Sequence, residues 1–282
     1  MSLSTLQQHW ARAPRASWLL EDYIAGREFH CNGQVDAEGN ICVFEVAETQ
    51  FKTANGSVFN RARFDQTPSH AKEFRPIADY ARQVIAASGL RRSPFHAEVQ
   101  LDDQGPCLIE CGARLVGGNW GFLINKMHGS KFDIFKLTAH YYASDQPFGE
   151  IELDWTEYDR NTIFRIATIS ERAECIETLT GTSAVESMPE FISWNAKPFV
   201  GQTLTVTRDL FSRVYSASFQ YSSSAEIDET AALVEKLITW NTSRPSLAAK
   251  LRIWIGRGQR FLARKYKKVA PAPAFGDRRF SA

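Results

Sequence analysis

The sequence predicts an α+β protein: an antiparallel sheet flanked by helices, followed by a smaller α+β module. Three observations predict it. Short strands follow one another across turn signals, as in FHCNGQVD, turn AEGN, ICVFEVA and again in HAEVQL, turn DDQGP, CLIEC, so that neighbouring strands form hairpins and run antiparallel. A helical stripe, Ile77, Tyr80, Ala81, Val84 and Ile85, stands between these hairpins and stops at Gly89. Beyond Asp154 further short strands lead into another helix.

Taken in order, residues 1–17 form an N-terminal extension, and from Trp18 to Ala47 the pattern reads as three strands in a meander: WLLEDYI, FHCNGQVD with Phe29, Cys31 and Val35 alternating, and ICVFEVA. Residues 48–67 are polar, carry the turn signal Asn55-Gly56 and read as a long loop able to form part of a site. The helix over 77–88 and the second hairpin follow. A Gly-rich loop, LVGGNWG, then leads to a helix over roughly residues 130–143, with Phe132, Phe135, Leu137 and Tyr142 as candidate buried positions. The first unit spans 18–150. The second, 151–242, contains the strands TIFRIATI, QTLTVT and RVYSASFQY and ends in a helix with Ser224 as N-cap and the acidic first turn EIDE. Residues 243–282 form a basic tail, Pro/Ala-rich and disordered at its end.

A chain of 282 residues, 44% hydrophobic and 23% charged, has the composition of an ordinary soluble globular protein. Lys plus Arg at 33 against Asp plus Glu at 32 leaves a formal charge of +1, so no nucleic-acid partner is expected. The odd number of cysteines, five, without metal-ligand spacing, reads as reduced thiols in a cytoplasmic protein, and neither a leader nor a membrane span is evident. The local exception is residues 250–268, where eight basic residues interleave with Trp254, Ile255, Phe261 and Leu262. That segment reads first as a solvated extension or subunit contact, and only secondarily as a contact with an anionic membrane or RNA.

The second hairpin carries the chemistry. With DDQGP as a five-residue loop, Leu101 pairs with Cys107, Val99 with Ile109, Ala97 with Cys111, and Glu98 with Glu110. Alternation puts His96, Glu98 and Gln100 on one face against Gly112, Glu110 and Leu108. Opposed residues have Cβ atoms about 4.5–5.5 Å apart, and like charges there destabilise a sheet. A divalent cation compensates them, since Mg²⁺ takes one or two carboxylates and fills its other positions with phosphate oxygens and water. Arg114 adds a fixed positive charge suited to phosphate or carboxylate. The alternative is a solvated face on which Arg114 simply neutralises the glutamates. His96 shares the face and reads as a hydrogen-bonding neighbour rather than a ligand.

The phrase PFHAEVQLDDQGPCLIECGARLVGG resembles the metal-binding core of the ATP-grasp superfamily, in which a strand with an acidic residue precedes a strand reading Glu-x-Asn-x-Arg and a Gly-rich loop. Upstream, LLEDYIAGREF resembles that superfamily's hinge strand at the adenine pocket. The wording is closest to carboxylate-amine ligases that join amino acids or similar small molecules. The resemblance spans roughly residues 18–240 and implies that 18–150 is the C-terminal half of an ATP-grasp domain. It further implies that the backbone from Glu21 through Asp22 and Tyr23 to Ile24 meets the adenine edge and that Glu28 accepts from the ribose hydroxyls. Glu98 and Glu110 would bind Mg²⁺, with Mn²⁺ as a substitute, and Arg114 would contact the transferred phosphate or the substrate carboxylate. The implied reaction activates a carboxylate as an acylphosphate from ATP and couples it to an amine, releasing ADP and phosphate.

Two departures stand out. Gly112 occupies the position of the superfamily's metal-ligating Asn, so one oxygen ligand is missing, and opposite His96 the glycine leaves space. Only about seventeen residues precede the hinge strand, whereas complete members carry an N-terminal α/β domain and a lysine-bearing subdomain there. The expectation is therefore a ligase whose N-terminal half comes from another polypeptide, or a truncated, non-catalytic remnant acting as a binding or scaffolding module. Homo-oligomerisation is a further possible association.

Overall fold

The computed structural model describes residues 22–55, 57–149, 151–207, 212–221 and 226–243. The elements in order are β1 (Arg27–Val35), β2 (Ile41–Ala54), β3 (Ser57–Gln66), α1 (Phe74–Ser88), β4 (Ser93–Asp102), β5 (Gly105–Gly112), α2 (Trp120–Met127) and α3 (Ile134–Ala143). They continue with α4 (Trp155–Arg160), β6 (Thr162–Thr168), β7 (Cys175–Thr180), α5 (Thr182–Glu186), β8 (Phe191–Ala196), β9 (Tyr215–Tyr221), α6 (Ile227–Leu237) and β10 (Thr239–Ser243). Eight strands form one antiparallel sheet in the order β5-β4-β1-β2-β3-β6-β9-β8, and β7 pairs with β10 separately. This is the expected α+β class, with the pairing of β3 to β6 carrying the sheet from the first predicted unit into the second.

Several elements differ from the sequence expectation. The stretch read as a loop over 48–67 is instead a hairpin of β2 and β3, with Asn55 left-handed (φ 56) at its tip. The turn signal holds; the polar composition misleads, because the polar side chains of these strands find partners across the hairpin, along β3 and on α6. Gln50 donates to Asp65 at 2.8 Å, and Arg63 reaches Asp65 at 2.8 Å and also pairs with Asp228. Of the first meander strand, WLLEDYI, residues 18–21 lie outside the described residues, and Asp22–Ala25 is irregular. An additional helix, α2, follows the Gly-rich loop, and α3 starts only at Ile134, where Asp133 caps it by accepting from the backbone of Phe135 and Lys136. In α3 the buried residues are Ile134 and Tyr141, whereas Phe135 and Tyr142 are exposed. QTLTVT contributes a single bridge, Thr203 to Cys175, in place of a strand. Helix α6 has Glu226 at its N-cap; Ser224 and the basic segment 250–268 lie outside the described residues.

Alternation explains the core. Phe29, Cys31, Val46, Ala97 and Val99 are buried together with Ile77, Ala81 and Ile85 of α1, whose end at Gly89 (φ 70) falls as predicted. Gly26 sits at φ 131, and a Cβ there would lie 2.3 Å from the carbonyl oxygen of Leu101. Only glycine brings the segment 22–25 this close to β4. A second cluster, including Phe164, Tyr215 and Phe219, fills the space beneath α6.

Asp65 is the weak point of this framework. Its Oδ1 is buried without a hydrogen-bond partner, and burial, only partly offset by Arg63, pushes its carboxyl up to about 6. An acid whose folded-state pKa is raised contributes stability below its ordinary pKa and loses it as pH climbs through the raised value. Asp65→Asn is therefore expected to stabilise the protein by about 2–3 kcal/mol at about pH 8, with the gain vanishing towards about pH 4. Urea unfolding at the two pH values checks this; a difference independent of pH would contradict it.

Candidate functional site

The strand registers assemble a polar face in three rows. One row runs Gly112, His96, Asn32, Glu45; the next, Glu110, Glu98, His30, Ala47, Gln66; the third, Gln100, Glu28, Thr49, Phe64, Arg165, Ser218. Residues in one row sit on adjacent strands about 4.8 Å apart and point to the same side of the sheet. Glu98 and Glu110 do oppose one another, but by a different path from the one predicted. The turn is tighter, so Leu101 pairs with Pro106 and Val99 with Leu108, and a bulge between Glu98 and Val99 restores the pairing.

The two glutamates have different surroundings. The Glu98 side chain is 12% exposed and that of Glu110 58%, with Arg114 Nη2 3.9 Å from Glu110 Oε1. Arg114 also donates to the carbonyl of Leu115 at 3.1 Å. Two carboxylates across one ladder, with a guanidinium beside them, fit a hard divalent cation that completes its shell with phosphate oxygens. Among the described residues no three His, Cys, Asp or Glu side chains form a ready-made metal cluster. The pair fits Mg²⁺ carried by a phosphate better than a dedicated protein cage.

Behind this pair lies a network that sequence reasoning missed. Glu45, wholly buried, accepts from Asn32 Nδ2 at 2.6 Å, from Trp120 Nε1 at 2.9 Å and from His30 Nε2 at 3.1 Å. Burial alone would raise its carboxyl, but His30 and the three hydrogen bonds hold it below the usual carboxylate range. Asn32 Oδ1 in turn meets His96 Nδ1 at 2.8 Å, and His96 Nε2 lies 3.6 Å from Glu98 Oε1. Burial pulls the imidazole of His96 down from its ordinary pKa, outweighing the opposing pull of Glu98.

Arg165 extends the face. It is buried, lies over the Trp120 ring at 4.9 Å and donates to Ser218 Oγ at 3.2 Å and to Asn119 Oδ1. Burial, reinforced by Arg213, pulls its guanidinium down to about 10. Asn119, at the end of the Gly-rich loop, also donates to Ser193 Oγ at 3.4 Å, so the loop leaving β5 is tied to β8 at the other end of the sheet order. The missed signal was a single charge centred in an apolar strand: Glu45 in ICVFEVA and Arg165 in TIFRIATI.

Of the residues singled out in the sequence, Glu98, Glu110 and Glu28 share the face, and Arg114 adjoins it. Asp22, Tyr23 and Ile24 lie in the irregular segment before Gly26, with Tyr23 exposed, and Glu21 lies outside the described residues. No helix among the described residues is long and apolar enough to cross a membrane.

Comparison with known proteins bears on this face. Residues 2–121 match the ATP-grasp domain family. The chain is 30% identical over 117 residues to dapdiamide A synthase of Enterobacter agglomerans, an alignment covering 42% of this chain and 27% of that protein. Its fold is similar to that of the L-amino acid ligase from Bacillus licheniformis, with a TM-score of 0.61 at 18% identity over 79% of this chain and 53% of that one. It is also similar to the biotin carboxylase domain of the Hydrogenobacter thermophilus 2-oxoglutarate carboxylase, a structure in complex with MgADP and bicarbonate. There the TM-score is 0.57 at 14% identity, over 86% of this chain and 52% of the other. The chain thus spans about a quarter of the curated relative and about half of these solved structures.

Proposed function

From the premise of an ATP-grasp chain of the carboxylate-amine ligase type, we propose that the polar face binds Mg-ATP and serves ligation of a small-molecule carboxylate to an amine. The observation that carries the reading is the pairing of Glu98 with Glu110, two like charges held across a ladder beside Arg114. Glu98 and Glu110 would hold Mg²⁺, or Mn²⁺ in its place, and the bound ion would neutralise charge on the ATP phosphates. Arg114 would meet the transferred phosphate or the substrate carboxylate, with two donors aligned on two oxygens. The backbone at Asp22, Tyr23 and Ile24, with Glu21 before it, would meet the adenine edge, and Glu28 the ribose hydroxyls.

In this reading the substrate carboxylate oxygen attacks the γ-phosphorus, the bond to ADP breaks, and an acylphosphate forms. The amine nitrogen then attacks the acyl carbon, loses a proton and expels phosphate. The protein's share is positioning and charge stabilisation.

A second reading is favoured by Gly112, which places no oxygen ligand opposite His96. The chain would then be a non-catalytic binding module. Calorimetry of the chain with ATP, with and without Mg²⁺, tests the shared premise, and ADP release on adding an amino acid as carboxylate and a second as amine tests ligation. Metal-dependent ATP binding with amino-acid-dependent ADP release is expected of the ligase; binding without release supports the second reading. No metal-dependent binding would refute both.

A further inference from the structure

Two arginines on the sheet each meet two carboxylates: Arg27 pairs with Glu48 and Glu73, and Arg63 with Asp65 and Asp228. Arg165, on the same sheet and only 6% exposed, meets none among the described residues. Its acceptors are neutral, Ser218 Oγ for Nε at 3.2 Å and Asn119 Oδ1 for Nη2. The Trp120 ring lies under its guanidinium, and Arg213 stands over the adjoining Phe64 ring at 5.7 Å. Burial and the charge of Arg213 together disfavour the ionised form of Arg165. A cation withdrawn from water without a counter-ion is costly, and a ligand that brings the counter-ion removes that cost.

The guanidinium has donors left for such a ligand. Of its five N–H groups, one on Nε and one on Nη2 are engaged, and both on Nη1 make no hydrogen bond among the described residues. Nη1 is not sealed from solvent, so an anion can reach it. Asn119 and Ser218 fix the plane of the group from two sides, and Ser216, on the same side of β9 as Ser218, is wholly buried with an Oγ that has no partner. The polar groups here exceed the partners the protein supplies.

Position sets the kind of anion. Arg165 lies on β6, four strands from Glu98 on β4 in the sheet order, which separates the two backbones by about 19 Å. An anion at Arg165 is therefore not the group held at Glu98 and Glu110. The carboxylate that becomes an acylphosphate must lie at the transferred phosphate, so a carboxylate at Arg165 is one that stays free through the reaction. We propose that Arg165 binds the carboxylate of the amine substrate, so that this substrate is an amino acid held by the group that does not react. The proposal rests on the ligase reading given above.

Calorimetry of the full chain, with Mg²⁺ and a non-hydrolysable ATP analogue present, against each common L-amino acid and its amide tests it. At least one amino acid should bind at least about tenfold more tightly than its amide, and Arg165→Gln should bring the two together while the ATP analogue still binds. Asn119→Asp gives a second handle, because it places a carboxylate beside Arg165 within the chain. It should raise the melting temperature of the ligand-free protein by about 2–4 °C and abolish the advantage of the amino acid over its amide. Equal binding of amino acid and amide, or a preference that survives in Arg165→Gln, overturns the proposal. So does a melting temperature that Asn119→Asp leaves unchanged or lowers, since Arg165 would then lack no counter-ion. Loss of the ATP analogue in folded Arg165→Gln assigns the arginine to the nucleotide instead. No amino-acid binding to a chain that binds the ATP analogue overturns the proposal and leaves the Mg-ATP reading standing, whereas no binding of the analogue overturns both.

Discussion

Glu98→Gln is expected to weaken metal-dependent ATP binding at least about a hundredfold while raising the thermal stability of the metal-free chain. The opposite signs come from one cause. Glu98 and Glu110 oppose each other across β4 and β5, and without an ion their like charges repel at about 5 Å. Removing one charge relieves that repulsion and removes a ligand together. The same substitution at Glu110 should cost less binding, about tenfold, because its side chain is 58% exposed against 12% for Glu98, so water already screens it. Calorimetry with ATP and Mg²⁺, beside thermal melts without metal, measures both effects. ATP affinity unchanged by Glu98→Gln would remove the metal role from this pair, and a lower melting temperature would show that their charges are compensated by something other than an ion.

How the pair was legible from sequence at all is instructive. The turn expected over five residues is tighter, which alone would have set Glu98 opposite Ile109, and the bulge at Val99 moves it back onto Glu110. Alternation located the polar face because the apolar positions Ala97 and Val99 have to face α1, whatever the turn does. The hairpin of β2 and β3 was not legible, since Gln50 and Arg63 find a partner in Asp65 only once the strands are folded, and composition then imitates a loop. Glu45 and Arg165 escaped for the converse reason. Each sits in an apolar strand whose period is plain, and the charge only acquires meaning from partners distant in sequence: Asn32, Trp120 and His30 for one, Asn119 and Ser218 for the other. The order of the sheet, with β3 bridging to β6, is likewise a non-local fact that no window of sequence contains.

Substitutions at Glu45 should separate the stability of this network from its function. Glu45→Ala removes the acceptor of three buried donors and leaves them without partners, which costs about 3–5 kcal/mol. Glu45→Gln is the sharper experiment. The introduced amide can keep an oxygen towards His30 and Trp120, and its NH₂ then faces Asn32, whose own NH₂ must give way. A flip of the Asn32 amide resolves the conflict, so the fold survives with a smaller loss, about 1–3 kcal/mol, as charged hydrogen bonds become neutral ones. That flip presents an NH₂ group to His96 Nδ1, which becomes the acceptor, and the imidazole hydrogen moves to Nε2, facing Glu98. Urea unfolding should therefore rank Glu45→Ala well below Glu45→Gln. Nitrogen-15 NMR of the histidine rings should show the His96 hydrogen on Nδ1 in the parent chain and on Nε2 in folded Glu45→Gln. A His96 tautomer unchanged in folded Glu45→Gln would show that the orientation of the Asn32 amide does not depend on the buried glutamate.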